Sequence, residues 1–243
     1  FDYNIYNPSS RLRNTVFLEL YDDRPITTAN FLQYGNSGVY NNSLMHNLSI
    51  SPGTLFGGGY YPVYVSEPAP VNISLDPAAK VDLDGTLGSP NPTISNEFTI
   101  APLHSNVKGT IAMFHDPSIQ NSQASNQFFF NIIDNSSLLD GSSGQAVFGD
   151  VVGDGMNLIS VYANSLPLAN LNPDIDNNGT RDSGPFGGVP VLLNQGAGSF
   201  LPLILTNAKV VDYLGSGTTT DVPAGGLTFA NKDAFIDSGA VFT

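Results

Sequence analysis

The stretch "NPDIDNNGTRD" places Asp174, Asp176, Asn178 and Asp182 around Gly179 in the spacing D-x-D-x-N-G-x-x-D. Oxygen ligands at alternating positions, with a glycine for the sharp turn, are what a calcium loop needs. Pro185 stands where the closing bidentate glutamate would be, and a hydrated Asp/Asn turn holds its shape without an ion. Other familiar chemistry is scarce. There is no cysteine, hence no thiolate nucleophile, no disulfide framework and no cysteine-bound zinc. His46, His104 and His115 do not form a ligand cluster by spacing. Residues 105–141, "SNVKGTIAMFHDPSIQNSQASNQFFFNIIDNSSLLDG", contain one histidine and no convincing nucleophile. Their apolar residues gather at 110–114 and 128–133, on either side of a polar run at 116–126, which reads as strand, loop, strand with room for an apolar pocket beside the loop.

Composition narrows the partners. Charged residues are only 12% of the chain and the net charge is −13, from 21 acids against 8 bases. That potential repels phosphate backbones and anionic lipid, which argues against nucleic-acid and membrane-surface partners. No apolar run reaches the ~18 residues of a membrane-spanning helix, and the run at 200–205 is broken by Pro202. The absence of cysteine fits an exported bacterial protein, periplasmic or extracellular, and the start at Phe1 reads as if a leader lay upstream.

The elements that must hold these residues are short. Residues 1–14 read as a polar arm and "TVFLELYDD" as a strand. "PITTANFLQYGNSG" reads as a helix capped by Thr27 or Thr28 and ended by Gly35. Residues 39–61 suggest two strands closing on three glycines, which permit close backbone approach. Residues 62–94 read as an extended loop with one small hairpin, and 145–152 as a strand. A helix over 155–165 shows Met156, Ile159 and Ala163 on one face, and residues 166–199 read as a second long loop. A final pair of strands over 200–214 precedes a tail at 212–243 whose aromatics suggest docking on the body. Many short strands with only two short helices predict a mainly β fold, a closed antiparallel barrel capped by those helices.

"VFLELYDDRPITTANFLQYGNSGVYNNSLMHNLSISPGTLFGGGY", followed in order by "SNVKGTIAMFHD", "SNQFFFNIIDNSSLLDG" and "AVFGDVVGDGMNLI", resembles the cyclophilins. The likeness runs over residues 15–211, interrupted by insertions at 62–94 and 166–199. It implies an eight-stranded antiparallel barrel with two helices, and peptidyl-prolyl cis-trans isomerase ancestry acting on X-Pro bonds of peptides or unfolded proteins. It implies a monomer, and no cofactor; calcium at the acidic loop is the one ion the sequence offers.

That ancestry explains why no nucleophile is needed. The barrier to X-Pro rotation is amide resonance. A pocket that grips the proline ring, with a donor aimed at the proline nitrogen as resonance is lost, stabilises the twisted state selectively. By resemblance, Met113, Phe129 and Leu139 line one proline pocket and Gln127 anchors substrate backbone. Several positions depart from the pattern. Asn47 stands where the family carries its arginine donor, and Phe56 where a glutamine precedes the glycines. Phe114 replaces a small residue, and Gln145 stands where a histidine often occurs. Arg181, in the second insertion, is the one substitute donor the sequence suggests. The reading is an isomerase with a degraded site and weak or absent activity. Its alternatives are a non-catalytic proline-peptide binding module and an extracellular interaction domain.

Overall fold

The structure, a computed structural model, describes residues 2–4, 13–68, 73–81, 94–115, 123–141, 144–194, 199–202 and 204–207. The main sheet runs in the order β3 (Phe17–Leu20), β12 (Ala146–Val152), β10 (Thr110–His115), β11 (Gln123–Asn131), β6 (Gly53–Gly57) and β5 (Asn47–Ile50). Every neighbouring pair is antiparallel, and β9 (Ile94–Ser95) pairs with the far end of β11. A second sheet has the order β2 (Arg13–Thr15), β1 (Asp2–Asn4), β16 (Ile204–Asn207), β4 (Ser43–Leu44). The hairpin β7 (Tyr64–Ser66) and β8 (Ile73–Leu75) lies in the first insertion. A three-stranded sheet joins β13 (Leu168–Ala169), β14 (Val189–Asn194) and β15 (Ser199–Pro202).

The protein is therefore mainly β. The sequence reading expects a closed eight-stranded barrel; the described residues form a six-strand antiparallel path whose end strands, β3 and β5, are not paired with each other. There are three described helices rather than two: α1 (Pro25–Asn36), the single turn α2 (Ser136–Leu139) and α3 (Gly155–Ser165). Residues 166–199, expected as loop, contain β13, all of β14 and the first residue of β15. Residues 1–14, expected as a polar arm, contain Asp2–Asn4, which pairs with β16, and most of Arg13–Thr15, which pairs with Asp2–Asn4. The tail expected to dock, 212–243, lies outside the described residues.

Alternation along the central strands sorts side chains onto two faces. Ile111, Met113, Phe128, Phe130 and Phe148 face the main core, where Phe31 and Tyr34 of α1 and Ile159 and Tyr162 of α3 cover them. Phe31 is the hinge of this packing, its ring centroid 4.9 Å from Phe148 and 5.4 Å, edge-on, from Phe128. Offset and edge-to-face aromatic contacts of this kind add to the area buried. Gly58, at φ +75, brings the chain so close to Asn126 that an added Cβ would lie 2.7 Å from that residue's carbonyl oxygen. A side chain fits neither that space nor that backbone conformation.

The start of α1 differs from expectation for a physical reason. Pro25 occupies its first turn, where a missing N–H costs nothing, so the helix begins ahead of Thr27 and Thr28. The free N–H groups of Ile26 and Thr27 instead donate to the carboxylate of Glu97, at 3.2 and 2.7 Å. Glu97 is buried, and its negative charge suits the positive end of the helix. At the other end the helix passes through Gly35 and stops before Gly38, which takes the left-handed turn at φ +74.

A second core lies apart from the first. Leu75 from one insertion packs with Leu171, Phe186, Val189 and Val191 from the other, together with Leu44 and Tyr60. Main-chain bonds stitch these loops: Leu75 N–H donates to Leu171 C=O at 2.8 Å, and Leu171 N–H to Phe186 C=O at 2.9 Å. Asn172 accepts the Phe186 N–H through Oδ1 at 2.9 Å.

Candidate active site

The face of the main sheet turned away from α1 and α3 carries its own apolar cluster. Ala112, Phe129 and Val147 are buried there, and Tyr21, Phe56, Phe114 and Leu139 pack over them, partly exposed. The register explains the grouping: Phe129 lies opposite Ala112 on one side and Phe56 on the other, and Ala112 lies opposite Val147. Directly opposed residues share a face. The Phe56 ring sits 5.2 Å from Phe129 and 5.4 Å, edge-on, from Phe114. The three rings form an aromatic patch carried by β10, β11 and β6.

Met113 does not belong to it. It pairs with Phe128, not Phe129, and is buried in the main core. The expectation that Met113, Phe129 and Leu139 share one pocket is thus corrected: a one-position offset along β10 moves Met113 to the opposite face. Phe129 and Leu139 do share the outer cluster.

Leu139 is held there by a polar network that sequence reading missed. Asp140 Oδ1 accepts from the main-chain N–H and the Nδ2 of Asn106, both at 2.9 Å. Asn106 Oδ1 accepts from Asn131 Nδ2 at 3.2 Å, and Asn135 Nδ2 donates to Asn131 Oδ1 at 2.8 Å and to the Gly53 carbonyl at 3.0 Å. Asn106, Asn131 and Asn135 are fully buried. A connected network rigidifies a loop because each broken member leaves a buried polar group unpaired. The signal in the sequence is the asparagine repeated within "SNVKG" and "FFFNIIDN" and the aspartate of "LLDG", each beside an apolar run.

Gln145, expected to meet substrate, is buried and clamped to the main chain of His115. Its Oε1 accepts the His115 N–H at 2.9 Å and its Nε2 donates to the His115 C=O at 3.2 Å. It joins β10 to the chain entering β12. Gln127 is half-buried and lies against Gly59, whose added Cβ would meet its side chain at 2.7 Å. It also hydrogen-bonds the ring of buried His46. Burial pushes the His46 pKa down to about 4, against the opposing pull of hydrogen bonds with the Leu44 backbone and Gln127. The ring centroid of His46 is 5.0 Å from Tyr60 and 6.0 Å from Phe56, so this histidine stands between the aromatic patch and the second core.

Asn47 lies directly opposite Phe56 on β5. No arginine with a described side chain replaces it as a charged donor. Arg24 is buried, donating to the Asp23 and Pro102 carbonyls and pairing with Asp23 at 3.3 Å. Arg181 donates to the Asn172 carbonyl at 2.8 Å within its own loop, next to the charge of Glu67. The space beside Asn47 is taken by Gly188, whose added Cβ would lie 2.9 Å from Asn47 Oδ1.

Comparison with known proteins decides the family. Residues 9–172 match the family described as cyclophilin type peptidyl-prolyl cis-trans isomerase/CLD. The chain belongs to this family. It is 27% identical over 189 residues to peptidyl-prolyl cis-trans isomerase A of Dickeya dadantii (strain 3937), covering 77% of this chain and 74% of that protein. To peptidyl-prolyl cis-trans isomerase B of Escherichia coli (strain K12) it is 29% identical over 150 residues, 59% of this chain and 75% of that one. A solved cyclophilin-type isomerase from Cryptosporidium parvum, crystallised in the presence of the dipeptide Ala-Pro, aligns with a TM-score of 0.48 at 18% identity, covering 82% of this chain and 93% of that one. Gly188 and the segment around it lie beyond the residues matched to the cyclophilin family.

The acidic loop stands apart from this site. Carboxylate oxygens of Asp174, Asp176 and Asp182 lie within 4.8 Å of one another. Asp174 already accepts the N–H groups of Asn178 and Gly179, at 3.1 and 2.8 Å, and Asp182 that of Ile175 at 2.8 Å. Asn178, expected as a fourth ligand, turns its Oδ1 to Thr180 and its Nδ2 to Asp176. The three histidines are dispersed: His104 pairs with Asp23 at 2.9 Å, and His115 Nε2 meets the Gly144 carbonyl.

Proposed function

We propose that this cyclophilin binds X-Pro segments of peptides or unfolded proteins on the Phe56–Phe114–Phe129 face and isomerises them slowly. The observation that carries this reading is the placement of an uncharged Asn47 opposite Phe56, beside an aromatic patch that includes Phe129 and Leu139. The patch supplies an apolar grip, and half-buried Gln127 is positioned to meet a peptide backbone. Gripping ground and twisted states alike gives affinity without rate. A charged donor contributes about 1.5–3 kcal/mol against about 1 for a neutral one, and losing a well-aimed donor costs roughly 10²–10³ in rate. The lack of cysteine supports an exported setting.

A protease-free isomerisation assay on a proline peptide, run beside a binding titration, tests this. Saturable binding with turnover at least about tenfold below that of an arginine-bearing cyclophilin is expected. Turnover equal to such an enzyme refutes the slow-donor reading, and absence of binding refutes the groove.

A further inference from the structure

Resting on the groove proposed above, we infer that the turn Phe186–Gly188, which leads into β14, covers the outer edge of β5 and governs peptide access to Asn47. Strand β5 ends the main sheet, and among the described residues no strand pairs with its outer main-chain groups. A bare edge is a template for an incoming extended chain. Here that place is already filled from within: Leu48 N–H donates to the Gly188 carbonyl at 2.7 Å. The approach is close enough to require glycine. A Cβ at position 188 would lie 2.8 Å from the Leu48 carbonyl oxygen and 2.9 Å from Asn47 Oδ1. The φ of Gly188 is not positive, so the constraint is space rather than backbone conformation.

The segment is anchored on both sides of this contact. Phe186 is fully buried in the second core with its ring 5.0 Å from Tyr60, and Val189 and Val191 are buried with it. Both insertions supply that core, so the first insertion holds the second against the strand that bears Asn47. Tyr60 in turn contacts His46, whose ring hydrogen-bonds Gln127. The strand edge, the donor position and the backbone-anchoring glutamine therefore all border one apolar anchor. A peptide that reaches across Asn47 to the edge of β5 must displace Gly188, and one confined to the aromatic patch need not. Gly188 is in this sense a specificity-determining residue, favouring short proline segments over extended ones.

Gly188→Val tests the inference, with Phe186→Ala as a second route that frees the anchor without adding bulk. Two readouts are taken on the full chain: amide exchange at Leu48, with β10 as internal reference, and binding of a labelled four-residue and a ten-residue Ala-Pro peptide. Exchange at Leu48 should accelerate about tenfold or more while β10 is unchanged. Affinity for the ten-residue peptide should rise about fivefold or more relative to the four-residue one. Faster Leu48 exchange with an unchanged ratio of peptide affinities overturns the inference and leaves the groove intact. Unchanged Leu48 exchange in both variants also overturns it, since Gly188 would not be what closes the edge. Absence of peptide binding in wild type and in both opened variants removes the groove itself.

Discussion

The two cores of this molecule are built on different terms. The main core is a sheet face covered by helices, and its members recur at alternate positions along β10 and β11, joined by Phe148 of β12. The second core has one strand of its own, β14, which supplies Val189 and Val191. Leu44, Tyr60, Leu75, Leu171 and Phe186 come singly from separate loops and short strands, and main-chain bonds between loops hold them in place. A periodic face tolerates the loss of one contact because its neighbours are fixed by the ladder. A core of single contributions depends on each anchor, and so opens more readily as a unit. The main core thus holds the fold, while the second core holds the segment that borders Asn47.

The sharpest test is to remove one fully buried phenylalanine from each. Phe128→Ala should destabilise the whole protein by about 3–5 kcal/mol, lowering the melting temperature and loosening every protected amide together. Phe186→Ala should leave the β10–β12 amides protected while those of residues 171–191 exchange faster. Equal, global loosening in both variants would show that the two cores unfold as one.

His46 touches both regions, and its ionisation tests their junction. Its folded pKa, about 4, lies below the ordinary value of 6.5, so the unfolded chain takes up a proton first as pH falls. Stability contributed by keeping His46 neutral is therefore full above about pH 6.5, declines as pH falls, and levels off below about pH 4, a loss on the order of 3 kcal/mol. His46→Gln should flatten that part of the stability–pH curve in denaturant titrations. An identical slope in the variant would assign it to other groups.

Asn47→Arg asks whether the second core constrains the first region's chemistry. It should raise kcat/KM with little change in peptide affinity, approaching roughly 10²-fold only when Gly188→Val is also present. A full gain from Asn47→Arg alone would mean the insertion leaves the donor position open. The smallest effect is expected at the acidic loop. Millimolar calcium should raise the melting temperature by a degree or so at most, roughly the gain of a ligand near its Kd, and Asp174→Ala should abolish it. A shift that persists in that variant would place any calcium elsewhere.

Much of the main sheet was legible because alternation and strand-forming residues agree over "GTIAMFH" and "NQFFFN". What alternation leaves open is relative register, and that is where Met113 was misplaced: nothing local says whether it faces Phe128 or Phe129. Phe129 and Leu139 were legible as neighbours through family resemblance, whereas Phe56 and Phe114 were read as departures from the family pattern and join them in one cluster, and Gln145 was read as substrate-facing and is a backbone clamp. The second core was not legible, since Leu171 and Phe186 sit among Pro, Gly and Asn with no period to mark them. The buried asparagine network was missed because asparagine ordinarily signals a turn, and only three-dimensional closure makes it structural.

The carboxylate of Glu97 seals the start of α1 from a position 70 residues further along the chain. During synthesis at about 5–20 residues per second, α1 therefore leaves the ribosome roughly 4–14 s before its cap exists. In that interval two main-chain N–H groups and the apolar face bearing Phe31 have neither their acid nor their sheet. The first helix of this protein is completed late: its cap comes with residue 97, and the face bearing Phe31 stays uncovered until Phe128 and Phe148 have emerged as well.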